Sequence, residues 1–280
     1  MIRKRKKLRR RTRLLFLLLA LLFIRLWMDN ATVVTREYDI YSPDIPAGFE
    51  GYRIAVISDL HGNSRLYPLL LRAADRAEPD IIALTGDLSD AEGQRTKLEP
   101  FLRSLTETAR CYYVSGNHEW AELNAEKFFT FVAGTGVRVL RNEWITLYSG
   151  TEILALAGLE DPNGYADMKT PQQLYAELRE KTDAYVVTLC HRPGMFPELA
   201  LTGYDLVLSG HNHGGLWRLP FVGGLVSPSG LFPEYDKGLF ELHGSTMLVS
   251  PGLSAAAKLP RLFNRPEVSV AVLHAGTKND

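Results

Sequence analysis

The sequence predicts an α/β domain built from two packed, partly mixed β-sheets with helices outside. Three observations predict it. In the first half, fully apolar strand-like runs alternate with segments of helical spacing. Such runs imply a parallel sheet covered on both faces. In the second half, short alternating strands follow one another with one clear helix among them. The chain of 280 residues is also long enough for one large domain with a sizeable core.

The N-terminus comes first. Residues 3–13 are almost solidly basic, Leu14 to Ile24 is unbroken apolar sequence, and Arg25, Leu26, Trp27 and Met28 follow. The apolar part is short against the roughly 20 residues that span a bilayer. Arg25 can snorkel to the interface, and Trp27 suits an aromatic belt. An uncleaved signal anchor is the reading adopted. A cleaved signal peptide lacks a small-x-small site after Met28, and a surface-lying basic arm is the third option. Arg10-Arg11 also matches a twin-arginine export signal, a weak match among so many arginines. The expected layout is a cytoplasmic basic flank (1–13), a single-pass anchor (14–28), an extended tether (29–50) and the domain (51–276) on the extracytoplasmic side of the cell membrane.

Within the domain, Arg53–Ser58, Asp80–Leu84 and Cys111–Val114 read as buried strands. Arg65–Ala77 has helical spacing, through Leu66, Leu69, Leu70, Ala73 and Ala77. Lys97–Thr108 and Ala121–Ala133 read as the next two helices. Further strands are expected at Trp144–Tyr148, Ile153–Ala157, Ala184–Leu189, Asp205–Leu208, Gly238–Leu242, Thr246–Val249 and Val268–Leu273, with a helix at Pro171–Lys181. The two cysteines, Cys111 and Cys190, lie in apolar runs and are expected to be buried free thiols.

Polar motifs follow directly on five of the apolar strands: Asp59-Leu60-His61, Gly86-Asp87-Leu88-Ser89-Asp90, Gly116-Asn117-His118-Glu119, His191, and Gly210-His211-Asn212-His213. Ligands of open α/β sheets bind outside the carboxyl ends of strands, so five such ends can converge. Residues two apart on a strand share a face, which lets Asp59 and His61 grip one ion; the same spacing relates His211 and His213. Five of the seven histidines fall in these motifs. One histidine at a strand end is most often structural. Five of them with two aspartates and an asparagine point to a metal centre, while His243 and His274 keep the structural reading.

The pattern Asp-x-His, Gly-Asp-x-x-Asp, Gly-Asn-His-Glu, His, Gly-His-x-His resembles the calcineurin-like metallophosphoesterases over roughly residues 50–275. The resemblance implies a four-layer α/β sandwich with two divalent metal ions. It implies Asp59, His61 and His213 on the first metal, Asp87 bridging, and Asn117, His191 and His211 on the second. His118 is similar to the family's proton donor. Asp90 is read as orienting a neighbour rather than as a ligand. The mixed N/O donor set suits Mn, Fe, Zn or Co. Paired cations lower the pKa of a shared water and offset charge on phosphoryl oxygens.

Residues 214–237, 250–253 and 260–267 are similar to a membrane-anchored or exported bacterial branch that includes hydrolases of the UDP-diacylglucosamine type. That likeness implies a phosphodiester or pyrophosphate substrate, with a lipid-linked or nucleotide-sugar compound as the candidate. The apolar loop Leu216–Gly230 suits a greasy wall or a bilayer contact, and equally suits core under a long loop. No clear arginine pair marks a dianion pocket, although Arg65 or Arg192 can serve. A phosphomonoesterase on the same centre is the second reading, and a silent binding module of the same fold is the third. Ten of the 32 Lys and Arg residues lie in the first 25 positions, so the remaining 22 face 32 acids. That acidic body does not fit a nucleic-acid partner. Oligomeric state leaves no mark in the sequence.

Overall fold

A computed structural model describes residues 2–165, 168–254 and 259–278, with side chains from residue 10 onward. Most of the basic flank's side chains thus lie outside the described residues. Helix α1 runs without a break from Ile2 to Ala31. Its stretch Arg10–Ala31, 22 residues, is long and apolar enough to cross a membrane. At 1.5 Å per residue that is about 33 Å. The helix runs on past Leu14–Met28 at both ends.

The expected tether is not one. Val34–Ser42 forms strand β1, paired parallel with the last strand of the chain from Val34↔Glu267 to Ser42↔Ala275. Its charged residues Arg36, Glu37 and Asp39 point outward from a sheet edge while Ile40 is buried. That polar alternation hides an edge strand from a search for apolar runs.

Next come β2 (Arg53–Ile57), α2 (Tyr67–Arg76), β3 (Ile81–Thr85), α3 (Arg95–Thr108) and β4 (Arg110–Val114). The third predicted helix, Ala121–Ala133, is present as α5 (Ala125–Ala133), and a separate short helix, α4 (Asn117–Ala121), falls on the third polar motif. Asn124 separates them and caps the second, its Oδ1 accepting from Lys127 N at 3.0 Å. The chain goes on through β5 (Arg138–Val139), β6 (Glu143–Ser149), β7 (Glu152–Leu159), α6 (Pro171–Arg179), β8 (Val186–Cys190), α7 (Phe196–Thr202) and β9 (Leu206–Ser209). Two minimal hairpins, β10 (Arg218–Leu219) with β11 (Gly223–Gly224) and β12 (Val226–Ser227) with β13 (Gly230–Leu231), precede β14 (Gly238–Leu242), β15 (Ser245–Val249) and β16 (Glu267–Ala275).

The first sheet has the order β1-β16-β2-β3-β4-β5 and the second β14-β15-β9-β8-β7-β6. Each is mixed: β16 runs antiparallel to β2, and the β14–β15 and β6–β7 pairs are antiparallel. Strand alternation divides the core. Ile54, Val56, Ile81 and Ala83 face inward against Leu156, Val187, Leu189 and Leu208 of the second sheet. Ala55, Ile57, Ile82 and Leu84 face outward onto Leu70, Leu102, Leu105 and Phe128 of the helices. On the far side, Val186, Val207 and Met247 pack against Leu174, Leu178 and Leu199. Helix, sheet, sheet, helix make four layers, the two-sheet architecture the sequence predicts. The carboxyl ends of β2, β3, β4, β8 and β9 lead into the five motifs at the seam between the sheets.

Candidate metal centre

Burial here is nearly complete. Asp59 is 0% exposed, Asp87 and His191 1%, His213 4%, and His61 and His211 6%. Three three-residue donor clusters form: Asp59–His61–His213 and Asp87–His191–His211, both buried, and a more open one, His61–Asp90–His118. In the first, Asp59 Oδ1 lies 4.0 Å from His61 Nε2 and 3.9 Å from His213 Nε2. In the second, His191 Nε2 lies 3.3 Å from Asp87 Oδ2, 3.2 Å from Asn117 Oδ1 and 3.2 Å from His211 Nδ1. Asp87 Oδ2 is also 3.8 Å from His61 Nε2, so one carboxylate oxygen faces both clusters.

The pairs do not arise as strand periodicity suggests. Strand β2 ends at Ile57, and both Asp59 and His61 are left-handed, at φ 56° and 45°. Asp87, His211 and His213 are left-handed as well, at φ 55°, 67° and 49°. Such backbone is costly for residues with a Cβ and persists where the surroundings hold it. Asp59 N donates to Gly86 O, His61 N to Asp87 O, and His211 N to the Asp59 carboxylate. The turn also sends His211 and His213 into different clusters rather than onto one ion.

His191, His213, His61 and His118 are each aimed by their Nδ1. His191 Nδ1 donates to Thr85 O at 2.7 Å, and His213 Nδ1 to Ser254 O at 3.0 Å. Carbonyls only accept, which fixes the proton on Nδ1 and turns Nε2 inward. His61 Nδ1 meets Asp90 Oδ1 at 2.6 Å. The same Asp90 oxygen lies 2.8 Å from His118 Nδ1. The His118 side chain is 32% exposed, against 2% for His61 and 0% for His191. Its Nε2 stands 3.9 Å from Asp87 Oδ2, at the mouth of the site. The Asp90 hydrogen bond, working against burial, raises the His118 pKa above its usual value.

Burial pushes His211 and His213 down to about 4, so both are neutral near pH 7 and offer a lone pair. Burial also opposes charge on Asp87, but His191, His61 and His118 hold it well below the usual carboxylate range. The Asp59 Oδ1 and His61 Nε2 atoms are buried with no hydrogen-bond partner. Each such orphan costs about 1–3 kcal/mol unless something satisfies it. Converging lone pairs, two carboxylates and orphaned inward atoms fit divalent cations.

Two glycines are dictated by close approach. Gly86 is left-handed at φ 86°, and a Cβ on Gly116 lies 2.2 Å from Asp87 Oδ1. Glu119 has no role in the sequence reading and has a large one here. Fully buried, it accepts from Asp87 N at 3.0 Å, Leu88 N at 2.6 Å and Gly116 N at 2.7 Å, tying the second and third motifs together. Its place next to His118 is the only hint in the sequence. Arg261 and Asn264 were also illegible. Asn264 Nδ2 donates to His213 O at 2.6 Å, and the buried Arg261 side chain donates to the carbonyls of His213 and Ser254. Arg192 is bound to Asp161 at 2.6 and 3.0 Å, whereas Arg65 is exposed. His243 and His274 lie apart; His274 bonds Glu50 and Asp39 at the surface. Cys111 and Cys190 are buried and free.

Residues 52–215, more than half of the chain, match the model of the calcineurin-like phosphoesterase family. An uncharacterized metallophosphoesterase of Aquifex aeolicus is 30% identical over 85% of this chain and 90% of its own length. The uncharacterized metallophosphoesterase YkuE of Bacillus subtilis is 26% identical over 88% of this chain and 87% of its own length. A bovine transmembrane protein with a metallophosphoesterase domain is 26% identical over 87% of this chain and 57% of that protein. Among solved structures, the Thermus thermophilus sulfate thiohydrolase SoxB superposes with a TM-score of 0.50 at 14% identity, covering 82% of this chain and 58% of SoxB, a likeness of fold. Fold, motifs and relatives agree: the chain belongs to the calcineurin-like metallophosphoesterases, metal-dependent hydrolases that act on ester bonds.

Proposed function

We propose that the protein is a membrane-anchored, dinuclear phosphoesterase that cleaves a phosphodiester or pyrophosphate bond in a lipid-linked or nucleotide-sugar substrate. The observation that carries the reading is the pair of donor clusters facing one Asp87 oxygen. Asp59, His61 and His213 would hold one ion, and Asn117, His191 and His211 the other, with Asp87 available to both. Mn, Fe, Zn and Co are all compatible with these imidazole and carboxylate donors. When bound, they supply an activated water and offset charge on the phosphoryl oxygens.

The chain's own residues do the rest. His118 Nε2 donates a proton to the leaving oxygen, while Nδ1–H stays anchored on Asp90 Oδ1. Asp90 thereby keeps the ring oriented and favours its protonated form. Arg192 is consumed by Asp161 and is not free to clamp a monoester dianion. All the ligand types and His118 are in place, which argues against a silent binding module.

Three observations support the membrane setting. Helix α1 can span a bilayer. Its end is welded to the domain: Asp29, 0% exposed, accepts from Phe263 N at 2.6 Å, and Asn30 exchanges hydrogen bonds with the Arg261 backbone at 2.9 and 3.0 Å. The loop after His213 is not core. Trp217 is 37% exposed and Phe221 fully so, and Trp217 Nε1 bonds Pro260 O at 2.8 Å, on the segment that docks α1. An apolar patch continuous with the anchor suits a lipid surface. The basic flank supports a domain outside the cytoplasm. The finer likeness to UDP-diacylglucosamine hydrolases is carried by segments 214–237, 250–253 and 260–267 alone. The test is hydrolysis of bis(p-nitrophenyl) phosphate by the full chain in detergent, stripped of metal and refilled with Mn, Zn, Fe or Co. Turnover restored by metal is expected; two bound metals with no diesterase activity on soluble or lipid diesters sinks the reading.

A further inference from the structure

A polar pocket of about 510 Å³ opens beside the metal centre, between the end of α1 and the segment that docks it. Asn30, Asn63, Arg65, Ser254, Pro260 and Arg261 stand on its wall. Two of these are arginines without a direct ion-pair partner among the described residues. Arg261 is 2% exposed, donates only to backbone carbonyls, and leaves its Nε buried with no partner. Among the described residues it makes no ion pair, and neither does Arg65. Other partly buried arginines do: Arg141 with Glu126 and Glu160, Arg192 with Asp161, Arg218 with Asp236. A guanidinium withdrawn from water without a partner is unfavourable unless an anion completes it.

The pocket is joined to the metal centre through the backbone. Ser254 O accepts from both His213 and Arg261, and Ser254 N donates to Asp59 O at 2.8 Å. Asn30 belongs to the last turn of the candidate membrane span, which sets the pocket near headgroup level.

We propose that Arg261 and Arg65 form an anion subsite that takes a phosphate group of the substrate other than the one hydrolysed. The assignment to substrate rests on the phosphoesterase reading; the anion site itself does not. The shared chemistry is a phosphate monoester, carried either by a lipid headgroup or by a soluble compound.

The experiment uses the full chain, stripped of metal, in neutral detergent micelles, and follows binding by calorimetry. The probes are glycerol 3-phosphate and micelle-embedded phosphatidic acid. Wild type is expected to bind a phosphate probe, Arg65→Gln to weaken it at least tenfold, and Arg65→Lys to recover most of the loss. Arg65 is exposed, so Arg65→Gln should fold; an unchanged melting temperature and two metals per chain after refilling check this. Binding of phosphatidic acid alone supports a lipid source, and comparable binding of glycerol 3-phosphate a soluble one. Absence of phosphate binding, or binding indifferent to Arg65→Gln, overturns the proposal. Because metal is absent from the assay, an inactive enzyme that still binds phosphate sinks the hydrolase reading alone. An active enzyme that binds none sinks the subsite alone.

Discussion

The first sheet and the second meet at the site with different donors and different restraints. The ends of β2, β3 and β4 bring Asp59, His61, Asp87 and Asn117, and side chains hold them: Glu119 collects three backbone N–H groups, and Asp90 meets His61 and His118. The ends of β8 and β9 bring His191, His211 and His213. There, backbone carbonyls of Thr85 and Ser254 do the aiming. Carboxylates are thus concentrated on one sheet and imidazoles on the other. Single substitutions can remove the first sheet's supports directly, whereas the carbonyls that aim His191 and His213 are backbone groups, that of Ser254 held in turn by Arg261.

Asp87 tests this contrast hardest, because its Oδ2 faces both clusters. Asp87→Ala should lower turnover by about 10³-fold or more and take bound metal from two per chain to one or none. His211→Ala, on the imidazole side, should weaken one ion and spare the other. Elemental analysis after equilibration at fixed free metal reads both variants. Two tightly held ions in Asp87→Ala would remove the bridge from the assignment.

His118 comes next, as the half-buried ring that belongs to neither of the two buried donor clusters. His118→Ala should cost about 10²–10⁴-fold in kcat with two metals retained. Asp90→Asn is milder, about 10–100-fold, and has a pH signature. The Asp90 hydrogen bond raises the His118 pKa, so the acid form persists to higher pH, and activity is lost as pH rises through that value. Without it the alkaline limb of kcat against pH should move to lower pH. A limb that stays in place, or moves up, assigns the proton to another group.

The difference between the sheets also explains what could be read in advance. Strands β2, β3, β4, β8 and β9 are continuous apolar runs, each ending in a polar motif, so both their burial and their function show as local pattern. Strand β1 does not show, because an edge strand carries Arg36, Glu37 and Asp39 outward and needs only backbone pairing with β16 to join the sheet. The left-handed backbone at Asp59, His61, Asp87, His211 and His213 is equally hidden. Hydrogen bonds from another motif impose it, and no residue type announces it. Arg261 and Asn264 act on His213 across some fifty residues, a separation over which one sequence gives no signal. Glu119 sat inside a recognised motif, yet its three donors come from two motifs and meet only in the fold.

The smallest expected effect lies at the edge of the imidazole side, where the loop after His213 leaves Trp217 and Phe221 exposed. Their exposure removes the alternative that this loop is ordinary core; Leu216, 5% exposed, is the member that packs inward. Nothing in the donor clusters depends on either ring. Trp217→Ser with Phe221→Ser should therefore leave metal content and bis(p-nitrophenyl) phosphate hydrolysis close to wild type. On a patch that meets lipid, the same double change should lower the preference for a long-chain acylated diester over its soluble counterpart by several-fold, through KM rather than kcat. Trp217 also bonds Pro260 O, so Phe221→Ser alone serves as the cleaner variant, with its ring free of the segment that docks α1. An unchanged preference in both variants would separate the loop from substrate choice. The membrane would then matter to this enzyme through its anchor alone.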